Sequence, residues 1–343
     1  MKRTSVIFKN PHKIELRQDS LPSPRQDEVL IQTRMSAISA GTEMLLFRGR
    51  FPSKLLADEH IRALAHEFKY PFKYGYASIG QVLEIGPSVP ENLLNRTVFC
   101  FHPHESHYTA KQDQLINIPA DIDLLDALFL PNTETAVNFL MDGQPVIGEA
   151  VVVFGQGVVG LLTTALLATL PLSALVTLDK FPARRKKSLE VGAHFALDPE
   201  ASDLTDALAA ALDSGYGENS ADLAYELSGN PAALNQAIAS AGFGARIVIG
   251  SWYGTRKTEL NLGARFHRKR INLISSQVST LSPKFSGRWS QARRLNVAWD
   301  MIRRLKPAGF ITHRFDIQQV KDAYELLDDR PQDAIQVILT YDQ

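Results

Sequence analysis

Cysteine is all but missing from this 343-residue chain, and Cys100 is the only one. A lone cysteine forms no internal disulfide, so the fold must rest on its apolar core, and the chain suits a reducing compartment, the cytoplasm. Charge of one sign is missing too. Lysine plus arginine and aspartate plus glutamate number 37 each, so no net field draws the chain to nucleic acid or to an anionic membrane. The basic cluster Arg184-Arg185-Lys186-Lys187 is then a local feature, read as a solvated helix face. The opening MKRTSVIFKNPHKIEL has no apolar run of signal-peptide length. The longest apolar stretch, residues 158–176, nearly reaches membrane length. It carries threonine and serine, is broken by Pro171 and follows a glycine-rich turn, so it reads as a buried helix running into a buried strand. Repeats and low-complexity segments are absent. A soluble protein of two domains is expected from the length and from 45% hydrophobic and 22% charged residues.

What is present falls into two patterns. The first third reads as short β segments at residues 4–8, 28–35, 80–85 and 96–101, bounded by Pro, Asn, Asp and Gly turns. A polar, helix-like insert at 51–69 interrupts them. Residues 124–142 have helical apolar spacing, and from Ala150 strands and helices alternate. Strands are expected at 151–154, 174–178, 194–197, 223–227 and 246–249, with helices at 158–169, 183–191, 203–212 and 232–241 between them. Short, fully apolar strands alternating with helices argue for an α/β fold with a doubly wound parallel sheet covered on both faces. The remainder is mixed: a strand near 271–275, helices near 289–305 and 317–327, and a terminal strand at 334–340.

One motif carries chemistry. VVVFGQGVVG sets Gly155, Gly157 and Gly160 after an expected strand and at the start of an expected helix, the context that a dinucleotide fingerprint requires. The first glycine allows the tight turn, the second lets backbone approach a pyrophosphate, and the third lets helix and strand pack closely. Gln156, Val158 and Val159 lie within that turn, and the helix N-terminus offers free N–H groups to phosphate. The next strand ends at Asp179, where a carboxylate can bond both ribose hydroxyls and repel a 2′-phosphate, so NAD is expected over NADP. Lys180, Arg184 and Arg185 follow closely and soften that preference, which keeps NADP as the alternative. An ordinary β–α turn and a solvated strand-end carboxylate are the plainer readings of these residues.

With the fingerprint in mid-chain and β-rich segments on both sides, the chain resembles the medium-chain dehydrogenase/reductase superfamily over nearly its whole length. The resemblance lies in ISAGTE (38–43), KYGYASIGQV (73–82), LPNTETAV (130–137), LDKFPARRKKSLEVGA (178–193), AYELSGNPAALNQAI (224–238) and GARIVIGSW (244–252). GTEMLLFRG and KYGYASIG look most like the branch of bacteriochlorophyllide dehydrogenase-like proteins. The resemblance implies a Rossmann sheet inserted in a GroES-like β-rich catalytic domain, with the active site in the cleft. The expected division is 1–122 for the first part of the catalytic domain, 123–268 for the Rossmann domain, and 269–343 for the segment that completes the catalytic domain. It also implies a homodimer built by strand pairing, and a small-molecule substrate. Thr135 would pack at the nicotinamide end, Ser228 would border the nicotinamide ribose, Gly250 and Ser251 would face the carboxamide, and Arg184 would flank the adenosine.

Members with alcohol dehydrogenase chemistry hold a catalytic zinc as a Lewis acid. Here the matching ligand positions read Ala40, Gly75-Tyr76-Ala77 and Pro131, and one cysteine cannot build the four-cysteine structural zinc lobe. A zinc-free member is expected, with no metal site. The segment FCFHPHESHY (99–108) sets His102, His104 and His107 near Cys100, but Pro103 forbids a helix across them, and on a strand His107 would leave the face shared by His102 and His104. A cleft-lining role and a structural role both remain for these histidines. Without zinc a substrate oxygen needs a hydrogen-bond donor and a proton carrier. Tyr76 stands at a vacated ligand position, as a donor or as an aromatic filling the space. Glu43 is a proton relay or a partner of Arg48, and His104 is the group that titrates nearest neutrality. The expected function is zinc-independent, NAD(P)-dependent hydride transfer on an alcohol/carbonyl pair. A quinone or enone reductase is the second enzyme reading, and a dinucleotide-binding sensor or scaffold without turnover is the reading from another class.

Overall fold

The computed structural model describes residues 1–52, 56, 61–213 and 219–341. In chain order the first elements are β1 (Lys2–Asn10), β2 (Lys13–Ser20), β3 (Glu28–Ile38), α1 (Ala40–Phe47), β4 (Ser78–Ile85), β5 (Thr97–Cys100), β6 (His107–Lys111), β7 (Leu115–Asn117) and the short α2 (Leu124–Ala127). Then come α3 (Leu130–Gly143), β8 (Ala150–Phe154), α4 (Val158–Leu167), β9 (Ala174–Leu178), α5 (Pro182–Glu190) and β10 (Phe195–Leu197). They are followed by α6 (Leu204–Ala211), β11 (Ala221–Glu226), α7 (Ala233–Ser240), β12 (Ala241–Ile249), β13 (Asn272–Ser275) and α8 (Gln291–Leu305). The last are β14 (Ile311–Asp316), α9 (Val320–Asp329) and β15 (Gln336–Thr340). Of the insert expected at 51–69, residues 53–55 and 57–60 lie outside the described residues, and Arg62–Leu64 forms a single 3-10 turn rather than a helix. No helix among the described residues is long and apolar enough to cross a membrane.

The chain divides into two compact units, Met1–Pro131 with Lys306–Gln343, and Asn132–Leu305. In the second, the described strands form a six-stranded, wholly parallel sheet in the order β10-β9-β8-β11-β12-β13. This is the doubly wound order, with the reversal of direction between β8 and β11. Every residue of β8 is buried: Ala150, Val152 and Phe154 pack on one face of the sheet, Val151 and Val153 on the other. Burial on both faces is why these strands read as unbroken apolar runs. The second division falls at Leu305, not at 268. The reason is physical: β13 pairs with β12 and completes the parallel sheet, and α8 is tied to α3 by Arg294.

The first unit holds the β1–β2 hairpin and a seven-stranded sheet, β14-β15-β3-β4-β5-β7, with β6 also paired to β3. Its C-terminal strand β15 lies antiparallel to β3, so residues 300 positions apart in sequence share one sheet. One core gathers Phe8, Phe47, Phe51, Phe68, Phe72, Tyr324 and Leu327, with Phe8 stacked on Phe72 at 5.4 Å. A second gathers Val29, Ile31, Val82, Val98, Cys100 and Tyr108. Helix α9 buries Val320, Ala323, Tyr324 and Leu327, the i, i+3, i+4, i+7 stripe of an amphipathic helix. That stripe aims the hydroxyl of Tyr324 into the unit.

Arg294 of α8 is among the largest fully buried side chains. Its guanidinium bonds Glu134 Oε1 at 3.0 and 3.1 Å, Asn138 Oδ1 at 2.6 Å, the carbonyl of Thr280 at 3.2 Å and that of Val278. Burial pushes the Glu134 carboxyl up, and the Arg294 charge opposes that shift. Arg294→Ala leaves Glu134 buried without its cation, so the expected loss of stability is about 3 kcal/mol. A lower urea midpoint by circular dichroism checks it, and an unchanged midpoint would refute it.

Candidate functional site

The second unit carries the glycine turn as expected. Gly155 ends β8 with φ +90°, a region that L side chains rarely adopt, and a Cβ there would meet Ser228 Cα at 2.4 Å. A Cβ on Gly160 would meet the Gly155 carbonyl oxygen at 2.0 Å, which explains the close packing of turn and helix. Gly157 differs: nothing lies within 4 Å of its added Cβ, so its outer side is open. Gly157 is also the N-cap of α4 and has no side-chain cap. The N–H groups of Val158 and Val159, both half-buried, therefore begin the helix with no partner of the i−4 kind. An uncapped helix start beside an open glycine suits a pyrophosphate.

Asp179 is buried after β9, and its oxygens accept from Gln156 N at 2.7 Å and Phe181 N at 2.9 Å. The carboxylate thus closes the glycine turn onto its neighbouring strand. The side chain of Gln156 turns inward, donating to the Gly155 carbonyl at 3.1 Å and accepting from Thr164 at 3.0 Å. Its part is to shape the turn. Lys180 and Arg184 both lie 4.8 Å from the centre of the Phe181 ring. Burial lowers the Arg184 pKa, and the charge of Asp179 opposes that. Arg185 reaches the Asp179 carbonyl and Asp198. At the other strand ends, Ser228 is exposed, Gly250 and Ser251 are half-buried, and Ser251 Oγ accepts from Gly229 N at 2.9 Å. Thr135 is half-buried on α3. The fingerprint residues and strand-end residues therefore gather at the carboxyl ends of β8, β9, β11 and β12, where open α/β sheets bind ligands.

In the first unit the three histidines of FCFHPHESHY go to three different partners. Strand β5 stops at Cys100, and the following loop is bonded to β1 through Val6 N to His104 O and Ser106 N to Thr4 O. The His102 ring stacks on Tyr108 at 3.6 Å, and His107 Nδ1 meets Ser106 Oγ at 3.1 Å. His104 is fully buried, with Nδ1 2.7 Å from Ser36 Oγ and Nε2 3.1 Å from Glu43 Oε2. Its ring lies on Gly75, whose φ of +120° and missing side chain make room, since a Cβ there would come within 2.8 Å of the imidazole. Cys100 is buried, and burial pushes its thiol up to about 12, which leaves it inert.

Glu43 is also fully buried. It accepts from Ser39 N at 2.7 Å and from the Tyr324 hydroxyl, and Ser36 Oγ continues the chain to Tyr341 at 2.8 Å. The pairing with Arg48 does not form: Arg48 bonds Asp328 at 2.6 Å instead. His104 and Glu43 thus stand behind the surface, not on it. Tyr76 is half-buried and its hydroxyl bonds Ser39 Oγ. Ser39, the N-cap of α1, was missed from sequence, although a serine immediately before a short helix is the signal that finds it. Ala40 and Pro131 offer no donor atoms for zinc. Among the described residues no group of three His, Cys, Asp or Glu side chains could hold a metal ion. The described residues do not fit a zinc centre.

The sequence profile of the family described as zinc-binding dehydrogenase matches residues 158–296. The starvation-sensing protein RspB of Escherichia coli K12 is 21% identical, with 99% of each chain covered. The L-threonine 3-dehydrogenase of Bacillus subtilis is 30% identical over 63% of this chain and 58% of that one. The crystal structure of an RspB from E. coli CFT073, described as a short chain alcohol dehydrogenase complexed with NADH, has a TM-score of 0.79 at 20% identity, covering 99% of both chains. The chain is similar to these zinc-type dehydrogenases in its profile match, its relatives and its fold. Its Rossmann and GroES-like architecture is that of these dehydrogenases. The profile's span of 158–296 leaves out Ala40, Tyr76 and Pro131, so the match does not bear on those positions.

Burial lowers the His102 pKa to about 4 from 6.5, against the pull of Glu105, while Lys73 and Arg3 oppose protonation. The unfolded chain therefore takes up this proton first as pH falls, and stability is lost as pH falls from 6.5 to about 4, by roughly 3 kcal/mol in all. His107 adds in the same direction. His102→Phe keeps the stack on Tyr108 and removes the titration, so its urea midpoint should vary less over this window. An equally steep profile would refute the assignment.

Proposed function

We propose that the protein is a zinc-independent oxidoreductase that transfers hydride between NAD(H) and an alcohol/carbonyl pair of a small organic molecule. The observation that carries this reading is the open, uncapped glycine turn at Gly157 beside the strand-end carboxylate of Asp179. NAD is preferred because Asp179 meets the 2′ position and Arg184 is drawn onto Phe181. The NADH bound by the similar RspB structure supports the same choice. A nicotinamide held by this unit supplies or accepts the hydride. Tyr76 then donates its hydroxyl proton to the carbonyl oxygen, or takes it back from the alcohol, and Ser39 Oγ holds that hydroxyl in place. His104 and Glu43 fix Ser39 from behind. The proposal includes a cytoplasmic homodimer: β13 ends the sheet with β12 as its neighbour and leaves an edge for strand pairing between copies.

The test is NADH oxidation against aldehydes, ketones, quinones and enones, with a chelator present throughout. Turnover of a carbonyl substrate that survives the chelator is expected. Loss of activity that zinc restores would sink the zinc-independent reading, turnover of enones alone would move the enzyme to C=C reduction, and NADH binding without turnover would make it a sensor. Tyr76→Phe should lower kcat by about a hundredfold and leave the NADH dissociation constant unchanged. A kcat close to that of the parent enzyme would remove Tyr76 from the chemistry.

A further inference from the structure

Glu226 is the last residue of β11, is fully buried, and plays no part in the hydride chemistry above. Its Oε1 accepts from Ser228 N at 2.9 Å and from the Ser228 hydroxyl, and its Oε2 accepts from the Tyr253 hydroxyl at 2.5 Å. Its backbone carbonyl accepts from Gly250 N at 3.1 Å and from Ser251 Oγ at 3.3 Å. One residue thus ties the loop after β11 to the loop after β12. The first loop is also the one on which the fingerprint rests, since Ser228 Cα fills the space beside Gly155. Tyr253 is half-buried, so its ring closes the end of this arrangement without belonging to the core.

The position of these loops follows from the strand order. A dinucleotide lays its pyrophosphate on the turn after β8 and its adenosine ribose on Asp179 after β9. Its other half must therefore run across the ends of β11 and β12. We propose that Glu226 and Tyr253 form a latch that holds the two nicotinamide-side loops in one binding geometry, with Glu226 as the positioning residue. The inference rests on the dinucleotide reading above. A carboxylate in this place does two things that a neutral group would not. It takes three donors at once, and it clamps a tyrosine hydroxyl that would otherwise turn to water. Loops preset in this way lower the ordering cost of binding only for ligands that touch them. NADH touches them, whereas ADP, which lacks both the nicotinamide and its ribose, ends before them.

Tyr253→Phe removes the latch while keeping the ring. It should weaken NADH binding roughly tenfold, the effect of losing a hydrogen bond to a charged acceptor. ADP binding should stay as in the parent protein, and the melting temperature should fall by only a few degrees, the effect of one lost bond to a buried carboxylate. Glu226→Gln should give the same selective loss, and the double variant should lose no more than the larger single one, as expected for two ends of one contact. NADH binding would be followed by nicotinamide fluorescence and ADP binding by calorimetry. Equal weakening of both ligands, or none of either, would overturn the latch. If the parent protein binds neither ligand, the dinucleotide reading itself fails.

Discussion

Burying a carboxylate costs several kcal/mol unless donors surround it, and the first unit buries one at Glu43. Its donors come from distant parts of the chain: the backbone N–H of Ser39 at the start of α1, the Tyr324 hydroxyl on α9, and His104 from the loop after β5. That requirement explains local choices that look arbitrary alone. Gly75 lacks a side chain because the His104 ring occupies the place. Ser36 is buried on β3 because the other nitrogen of His104 needs a partner, and Tyr341 satisfies Ser36 in turn. Ser39 is then fixed twice, by its N–H to Glu43 and by its hydroxyl to Tyr76. The geometry at Tyr76 is therefore a consequence of a charge buried behind it.

At the glycine turn of the second unit, sterics set the first constraint. Gly155 must be glycine twice over, for its positive φ and for the backbone of Ser228 that lies against it. The same contact fixes how far the loop after β11 can move, so the turn after β8 and the loop after β11 behave as one surface. Two carboxylates flank that surface and work in the same manner. Asp179 caps the turn through Gln156 N, and Glu226 caps the neighbouring loop through Ser228 N. Each takes backbone donors first and leaves its remaining capacity for a second partner.

How much of this was legible depended on the range of the interactions. The sheet from β8 to β12 was readable because strands buried on both faces leave unbroken apolar runs, and because the glycine turn and Asp179 are local in sequence. Strand β2 was not, since KIELRQDS pairs only with β1 and is largely polar. Strand β14 was hidden because in ITHRFD the inward positions after Ile311 are His313 and Phe315, with Thr312 and Arg314 alternating with them. The boundary at 305 was hidden for a third reason: Arg294 spans α8 and α3, and nothing in the local sequence announces a buried arginine. The segment FCFHPHESHY showed its residue types but not their partners. Ser36, Glu43 and Tyr324, which decide what His104 does, lie 61 or more positions away along the chain from it or from each other's contacts.

Those partners also change what the histidines mean. Three imidazoles close in sequence suggest a shared ligand only if they converge, and these diverge onto an aromatic ring, a carboxylate and a serine. A buried His–Glu pair is a poor donor to a substrate it does not touch, but it is a firm support for the groups that do. Tyr76, with its hydroxyl on Ser39 and its ring against the aromatic core, is the group that the network holds in place for the proposed reaction. In the reaction proposed above, the Tyr76 phenol would give the oxygen of a substrate a hydrogen bond in place of a Lewis acid. The chemistry that results needs a proton and a fixed donor, and the buried network supplies the second.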